Sequence, residues 1–379
     1  MLSRRVVPTI ITLLVAATAM AQGDLFQTAY DLFEDGRYEK SVEVYTLYLE
    51  EHPASSNALY NRGLAFSNLG DHERALMDFV QSFQLDSSDH DAMHRIGVEM
   101  RHLGRFESAL SMQDQVIERA PDFKDAYTER GIVLDDLGRF EEALASYERA
   151  LDIDPGSRTD LYNRGLTLDH MGRSEEALAS VQAAIDRGPS ALYYWGKGDI
   201  LANMEAYDAA VAAYDSAIAL DPDRIDLYYN RGIALYNGDR PLEAIDDFQY
   251  MLGFDPDDAD AMWYLALCNA DLGDHRRAVY HYERTEALDP DYAYLSSVDI
   301  TEWRARAGLS EGESPNDSEW STTAVSDSAQ TMLADEQPDG EDVWSALKRW
   351  WWIILAVPAG LLGLMVGVGL IAARRNARS

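Results

Sequence analysis

From Gln22 to Tyr292, large apolar, small and polar residues return in the same order every 34 positions. Counting slots from Gln22, large apolar or aromatic side chains occupy slots 4, 11, 17 and 24, as in Leu161, Leu168, Phe140 and Tyr147. Slot 8 is small throughout: Ala29, Gly63, Gly97, Gly131, Gly165, Gly198, Gly232 and Ala266. So is slot 20: Ser41, Ala75, Ala109, Ala143, Ala177, Ala210, Ala244 and Ala278. Between them, near slot 15, stands Gly36, Gly70, Gly104, Gly138, Gly172 or Gly273. Apolar positions three and four apart mark one face of a helix, so each unit predicts two helices joined by a glycine turn. Glycine within a helix costs about 1 kcal/mol against alanine, and six of them in one slot need a packing reason. The expected reason is that the two helices cross at slots 8 and 20.

Proline measures the period. Pro53, Pro121, Pro155, Pro189, Pro222, Pro256 and Pro290 keep one register, with Ser87 in the place of one more, and the only short repeat, by one residue, ends at Gly188-Pro189. The tetrapeptide Tyr-Asn-Arg-Gly at 60, 162 and 229 follows the same rule, and its glycines are Gly63, Gly165 and Gly232. The residue before proline is pushed out of the helical region, so the Asp-Pro pairs end the second helices. Departures are Glu205, where the turn glycine of repeat six should stand, Gly238, one slot early in repeat seven, and Ser87; they put the local turn geometry in question.

The pattern resembles the tetratricopeptide repeat (TPR) family over about 270 residues. The resemblance implies an all-α, right-handed superhelical solenoid of eight helix-turn-helix repeats spanning 22–292. Residues 293–309 read as a capping helix that hides the last hydrophobic face. It further implies that slots 2, 5, 9, 12 and 13 line the concave side. Slot 5 holds Phe26, Tyr60, His94, Thr128, Tyr162, Trp195, Tyr229 and Trp263, and slot 2 contributes Asp91, Asp125, Asp226 and Asp260. Slots 12 and 13 add Asp135, Asp136, Asp169 and Asp271. Such a groove suits an extended peptide carrying Arg or Lys and apolar residues. Trp195, Tyr229 and Trp263 are the strongest expected contacts. Slot 5 has no Lys or Arg, so the carboxylate clamp of chaperone-binding TPR domains is not expected.

The two ends differ from the array. Arg4-Arg5, an apolar run from Val6 to Ala17 and Ala19-Met20-Ala21 read as a secretory signal over 1–21. Residues 310–343 carry ten acidic and no basic residues, too little apolar surface to order itself, and read as a disordered acidic linker. Residues 344–373 hold a 23-residue uncharged run from Trp351 to Ala373, about 35 Å as a helix and long enough to cross a bilayer. Ala359, Gly363 and Gly367 form a small-residue face that would let two such helices pair. Arg374, Arg375 and Arg378 mark the tail, 374–379, as cytoplasmic.

Net charge is −34, with four lysines, Lys40, Lys124, Lys197 and Lys348. Clustered cations are what nucleic acid needs, so nucleic acid is excluded as a partner. Both a basic ligand and adaptation to high salt account for the acidity. Cys268 stands alone, which rules out an intramolecular disulfide, and it reads as a core residue. His90, His94 and His102 share a helical face, yet nothing in the sequence completes a metal set, and no catalytic or phosphate-binding motif occurs; no cofactor, metal or enzymatic activity is expected. The expectation is a single-pass, extracytoplasmic scaffold, with the bacterial periplasm as its compartment, recruiting protein partners; the alternative is a structural envelope protein that self-associates through its transmembrane helix and solenoid ends.

Overall fold

The computed structural model describes residues 25–290, 292, 298–310 and 312–315. The signal segment, the linker from 316 onward, the expected span with Ala359, Gly363 and Gly367, and the tail lie outside the described residues. Among the described residues no helix is long and apolar enough to cross a membrane.

Eight helix pairs follow one another. First helices are Leu25–Glu34, Ser56–Asn68, His90–His102, Lys124–Asp136, Arg158–His170, Ala191–Asn203, Ile225–Asn237 and Ala259–Asp271. Second helices are Tyr38–Glu51, His72–Leu85, Phe106–Arg119, Phe140–Ile153, Ser174–Arg187, Tyr207–Leu220, Pro241–Phe254 and His275–Leu288. From repeat two onward these occupy slots 1–13 and 17–30. Ser55, Asp71, Asp89, Ser157, Asp258 and Asp274 accept a backbone N–H from the first turn of the helix each precedes, which satisfies one otherwise orphaned donor. Part of the acidity is thus spent on helix starts.

First helices of successive repeats approach one another closely and second helices do not, so the stack curves with the first helices inside. Each second helix is wedged between its own first helix and the next one. The slot-20 residues from Ala75 to Ala278 are wholly buried, and Ser41 spends its hydroxyl on the Ala29 carbonyl, 2.8 Å away. The glycine of slot 8 has a different neighbour from the one expected. A Cβ added at Gly63, Gly131, Gly198 or Gly232 would stand 2.9, 2.5, 2.5 or 2.8 Å from the ring of Phe79, Tyr147, Tyr214 or Phe248. All four rings are slot 24. Glycine there makes room for a ring against the first helix, and at Gly165 an added Cβ would also stand 3.1 Å from the slot-20 carbonyl of Ala177.

The turn survives its sequence departures. Six slot-15 glycines have φ between 70° and 78°, and Glu205 and Asp239 take φ 59° in the same slot. At every such turn the N–H after the left-handed residue bonds back five residues, as Ala206 to the Leu201 carbonyl (2.9 Å) and Arg240 to that of Leu235 (2.9 Å), the six-to-one bond that closes a helix end. A left-handed non-glycine residue costs about 1–2 kcal/mol, partly offset by the unfolded-state freedom that glycine would restore. Glu205→Gly is therefore expected to raise stability by about 0.5–1 kcal/mol, read as a higher urea midpoint with slower amide exchange in repeat six; an unchanged midpoint would refute the strain.

Within the expected cap, the described residues hold one helix, Ile300–Arg306. It lays Ile300 and Trp303 over Trp263, Ala266 and Tyr282, and Arg304 pairs with Glu283. In the same end repeat His281 Nδ1 lies 3.3 Å from the Met262 sulfur, and burial pushes its pKa down to about 4. A histidine depressed in the folded state costs nothing above its unfolded pKa of 6.5 and destabilises as pH falls through 6.5 toward 4. Thermal melts from pH 7 to 4.5 should therefore drop less steeply for His281→Gln than for the native chain, by about 2 kcal/mol; parallel profiles would show that His281 protonates freely in the fold.

Candidate functional site: the inner face of the array

The inner face is built by two kinds of polar contact. One is a ladder between successive first helices. Ser67 donates to Glu99 (2.7 Å), Arg101 to Glu129 (2.6 Å), Thr128 to Asp160 (2.6 Å), Thr167 to Asp135 (2.5 Å) and Asn203 to Asp169 (2.9 Å). Burial raises the carboxyl pKa of Asp135 and of Asp199, and the Tyr214 hydroxyl donates to Asp199 at 2.7 Å. Asp135 and Asp169, expected to face a ligand, instead hold neighbouring repeats together.

The other contact joins first helices to second helices. The base at slot 7 reaches forward to slot 23 of its own second helix and back to slot 25 of the preceding one. Arg62 grips Asp78 through two bonds of 2.8 Å and reaches Thr46 at 3.1 Å. Arg130 bonds Ser146 and Asp114, both at 2.7 Å. Arg231 bonds Asp247 at 2.9 and 2.6 Å and Asp215 at 2.6 Å. Arg164 bonds Ser180 at 2.9 Å, and Lys197 reaches Gln182 at 2.8 Å. The backward partner lies 16 residues away, and 15 at Lys197, because the preceding repeat is one residue short. Arg62, Arg130 and Arg231 each pin three helices, and Arg164 and Lys197 each join two. The arginine of Tyr-Asn-Arg-Gly is therefore as structural as its glycine. Its recurrence in the sequence was the available signal, but nothing local named its partners.

The slot-5 side chains divide. Trp263 is 4% exposed, His94 7% and Tyr162 8%. Trp263 packs on Tyr282 and Tyr292, His94 on Gln113, 3.0 Å away, and Phe123, and Tyr162 on Tyr193 and Gly196. These three fill joints between repeats rather than present a surface. Phe26, Tyr60, Trp195 and Tyr229 are half-buried. Among the slot-2 carboxylates, all exposed, Asp125 pairs with Lys124 at 3.1 Å and Asp260 accepts from the Tyr292 hydroxyl. Asp91 and Asp226 carry no hydrogen bond or ion pair among the described residues.

A hollow on this face lies in repeats one to three, away from the expected Trp195–Trp263 stretch. Phe26, Asn57, Tyr60, Asn61, Asp89 and Asp91 enclose about 290 Å³. Asn57, Asn61 and Asp89 were not among the expected contacts. Elsewhere His102 stacks on His72 with 4.4 Å between ring centres while His94 is buried on Gln113, so the three histidines form no common set. Among the described residues no group of three or more His, Cys, Asp or Glu could hold a metal. Cys268 is wholly buried and its thiol is pushed up to about 12 by that burial, which keeps it protonated and unreactive.

Family models described as tetratricopeptide repeat match residues 26–90, 101–158 and 162–225, residues 198–269 and residues 260–292. The chain belongs to the tetratricopeptide repeat family. Its TPR array is 34% identical over 102 residues to a tetratricopeptide repeat and J domain-containing co-chaperone of Cryptococcus neoformans. It is 52% identical over 54 residues to the photosystem I assembly protein Ycf3 of Acaryochloris marina. Those stretches are 26% and 14% of this chain, and 20% and 32% of the relatives. The crystal structure of the APC/C hetero-tetramer Cut9-Hcn1 superposes with a TM-score of 0.53 at 16% identity, covering 74% of this chain and 55% of that one. That likeness shows the fold alone.

Proposed function

We propose that this TPR protein is a scaffold that binds an extended segment of a protein partner along the inner face of its array, outside the cytoplasm and close to the membrane. The observation that carries the reading is the inner-face row itself: half-buried rings at Phe26, Tyr60 and Tyr229 alternate with exposed carboxylates, of which Asp91 and Asp226 are unpaired. Flat apolar area beside unspent charge is what a segment with apolar and basic residues would fill. The array is preformed by the ladder and the slot-7 bases, so little ordering cost falls on binding. The partners named for the co-chaperone and photosystem relatives belong to those proteins; what carries over is the use of TPR units in assembling other proteins. The leader and the apolar run from Trp351 to Ala373 support export and anchoring, which would raise the local concentration of whatever the array holds.

A photo-crosslinking residue placed at Asp125 or Asp226, in the full-length chain in its own membranes, should capture the same discrete partner from both positions. The same residue at Met77 or Leu242, exposed on second helices, should not capture it. Capture from the second-helix positions alone would overturn the groove. Protease added on the outer side of the membrane should digest the repeats and spare the tail; the reverse pattern would overturn the sidedness.

A further inference from the structure

The slot-5 ring of a repeat lies beside the residue that precedes the next first helix, slot 34. Trp195 has Arg224 there, its guanidinium carbon 5.2 Å from the ring centre. His94 has Phe123 at 5.5 Å and Trp263 has Tyr292 at 5.8 Å. In each of these repeats the chain covers its own ring. In repeat two the equivalent residue is Asp89, which covers nothing: one carboxylate oxygen caps the next helix through the Ala92 N–H at 3.0 Å, and a cavity opens between Tyr60 and Phe26. The place taken by a guanidinium in repeat six is empty in repeat two and rimmed by carboxylates.

We infer that this cavity is a subsite for a guanidinium group, the side chain of an arginine in the partner segment. The inference rests on the inner-face reading above and gives it a chemical address. A volume of about 290 Å³ is at the small end for ligand pockets, right for one side chain with its methylene stem. Rings at Phe26 and Tyr60 offer π faces to a flat cation, while Asp89 and Asp91 with the amide oxygens of Asn57 and Asn61 offer acceptors around its edge. A planar fork stacks on a ring and bonds acceptors along its edge at once, whereas a lysine ammonium, a compact point charge, satisfies one at the expense of the other. Arg95 stands beside the Tyr60 hydroxyl, so one resident cation stands against two carboxylates and the balance stays negative.

The test is ligand-observed saturation-transfer NMR on the detergent-solubilised full-length chain, with N-acetyl-arginine amide, its lysine counterpart and the neutral isostere N-acetyl-citrulline amide. Saturable transfer to the arginine methylenes is expected, with citrulline and lysine at least tenfold weaker. Asp89→Asn with Asp91→Asn should weaken arginine binding at least tenfold, since asparagine still caps the helix and an unchanged melting curve would show the fold intact. Glu107→Gln with Glu118→Gln, exposed on a second helix, should leave it within twofold. Equal binding of citrulline, no transfer, or indifference to the Asp89 and Asp91 changes would overturn the subsite. If arginine binding fails while crosslinking from Asp125 and Asp226 persists, the subsite alone falls. If crosslinking fails while arginine still binds at Asp89 and Asp91, the subsite stands and the extended groove falls.

Discussion

Asp247→Ala should unfold the seventh repeat far more readily than the native chain, at a cost of about 3 kcal/mol. Asp247 is 3% exposed, and its two bonds to Arg231 hold a guanidinium that burial would otherwise penalise. Burial raises the Asp247 carboxyl pKa, with Arg231 pulling the other way. Neither charge is comfortable alone. Removing one leaves the other desolvated, and breaking a buried pair costs about 3–5 kcal/mol; the low end applies because Asp215 still holds one Nη. The chain supplies its own controls. Repeats four and five place Ser146 and Ser180 opposite their arginines, so Asp247→Ser should cost less than half as much. Repeat six pairs Lys197 with Ala213 in that slot and sends the ammonium to Gln182, so Asp247→Ala combined with Arg231→Lys should recover most of the loss. In a linear array such damage stays near the joint, and amide exchange in repeats six and seven reads it directly. Equal protection in native and Asp247→Ala chains would show that the arginine contributes nothing to the joint.

The slots that carry the fold were legible because each has one physical demand. Slot 8 must be small, slot 20 must be small, and slot 15 must turn left-handed, so composition reports them without knowledge of the partner. Glu205 and Asp239 show the limit: the turn geometry expected to suffer is unchanged, because backbone bonds at Ala206 and Arg240 enforce it whatever the side chain. Charges were much less legible. Arg62 and Asp78 stand on different helices, and an apolar period says which face is buried without saying which salt bridge crosses it. The groove failed for a related reason. Slot 5 is aromatic in repeats two, six and eight alike, but Trp263 is covered by Tyr292, Trp195 by Arg224, and Tyr60 is left open by Asp89. Whether a ring is surface or core depends on a residue 29 positions further along, in the last slot before the next repeat begins.

That same dependence between distant slots makes the slot-8 glycine the position least able to change. Gly131→Val is expected to cost about 3 kcal/mol, the upper end for overpacking a core. An added Cβ would already lie 2.5 Å from one ring carbon of Tyr147 and 2.7 Å from another, and the two further methyls of valine reach beyond it. Tyr147 cannot swing aside, because it is 1% exposed and packed among Ala109, Leu110, Val133, Leu134 and Ala143. The gain of about 1 kcal/mol from replacing a helical glycine is small against that collision. Shortening the ring partner should reveal the coupling: Tyr147→Leu alone leaves a cavity and destabilises, whereas with Gly131→Val the valine fills part of the vacated space. The double variant should then be more stable than the sum of the single losses by about 1–2 kcal/mol. Gly138→Val supplies the contrast, since nothing lies within 4 Å of its Cβ position and only its φ of 70° opposes a side chain. If urea unfolding shows additive losses at Gly131 and Tyr147, the helices are not held apart by that ring, and the glycine register of the array would need another cause.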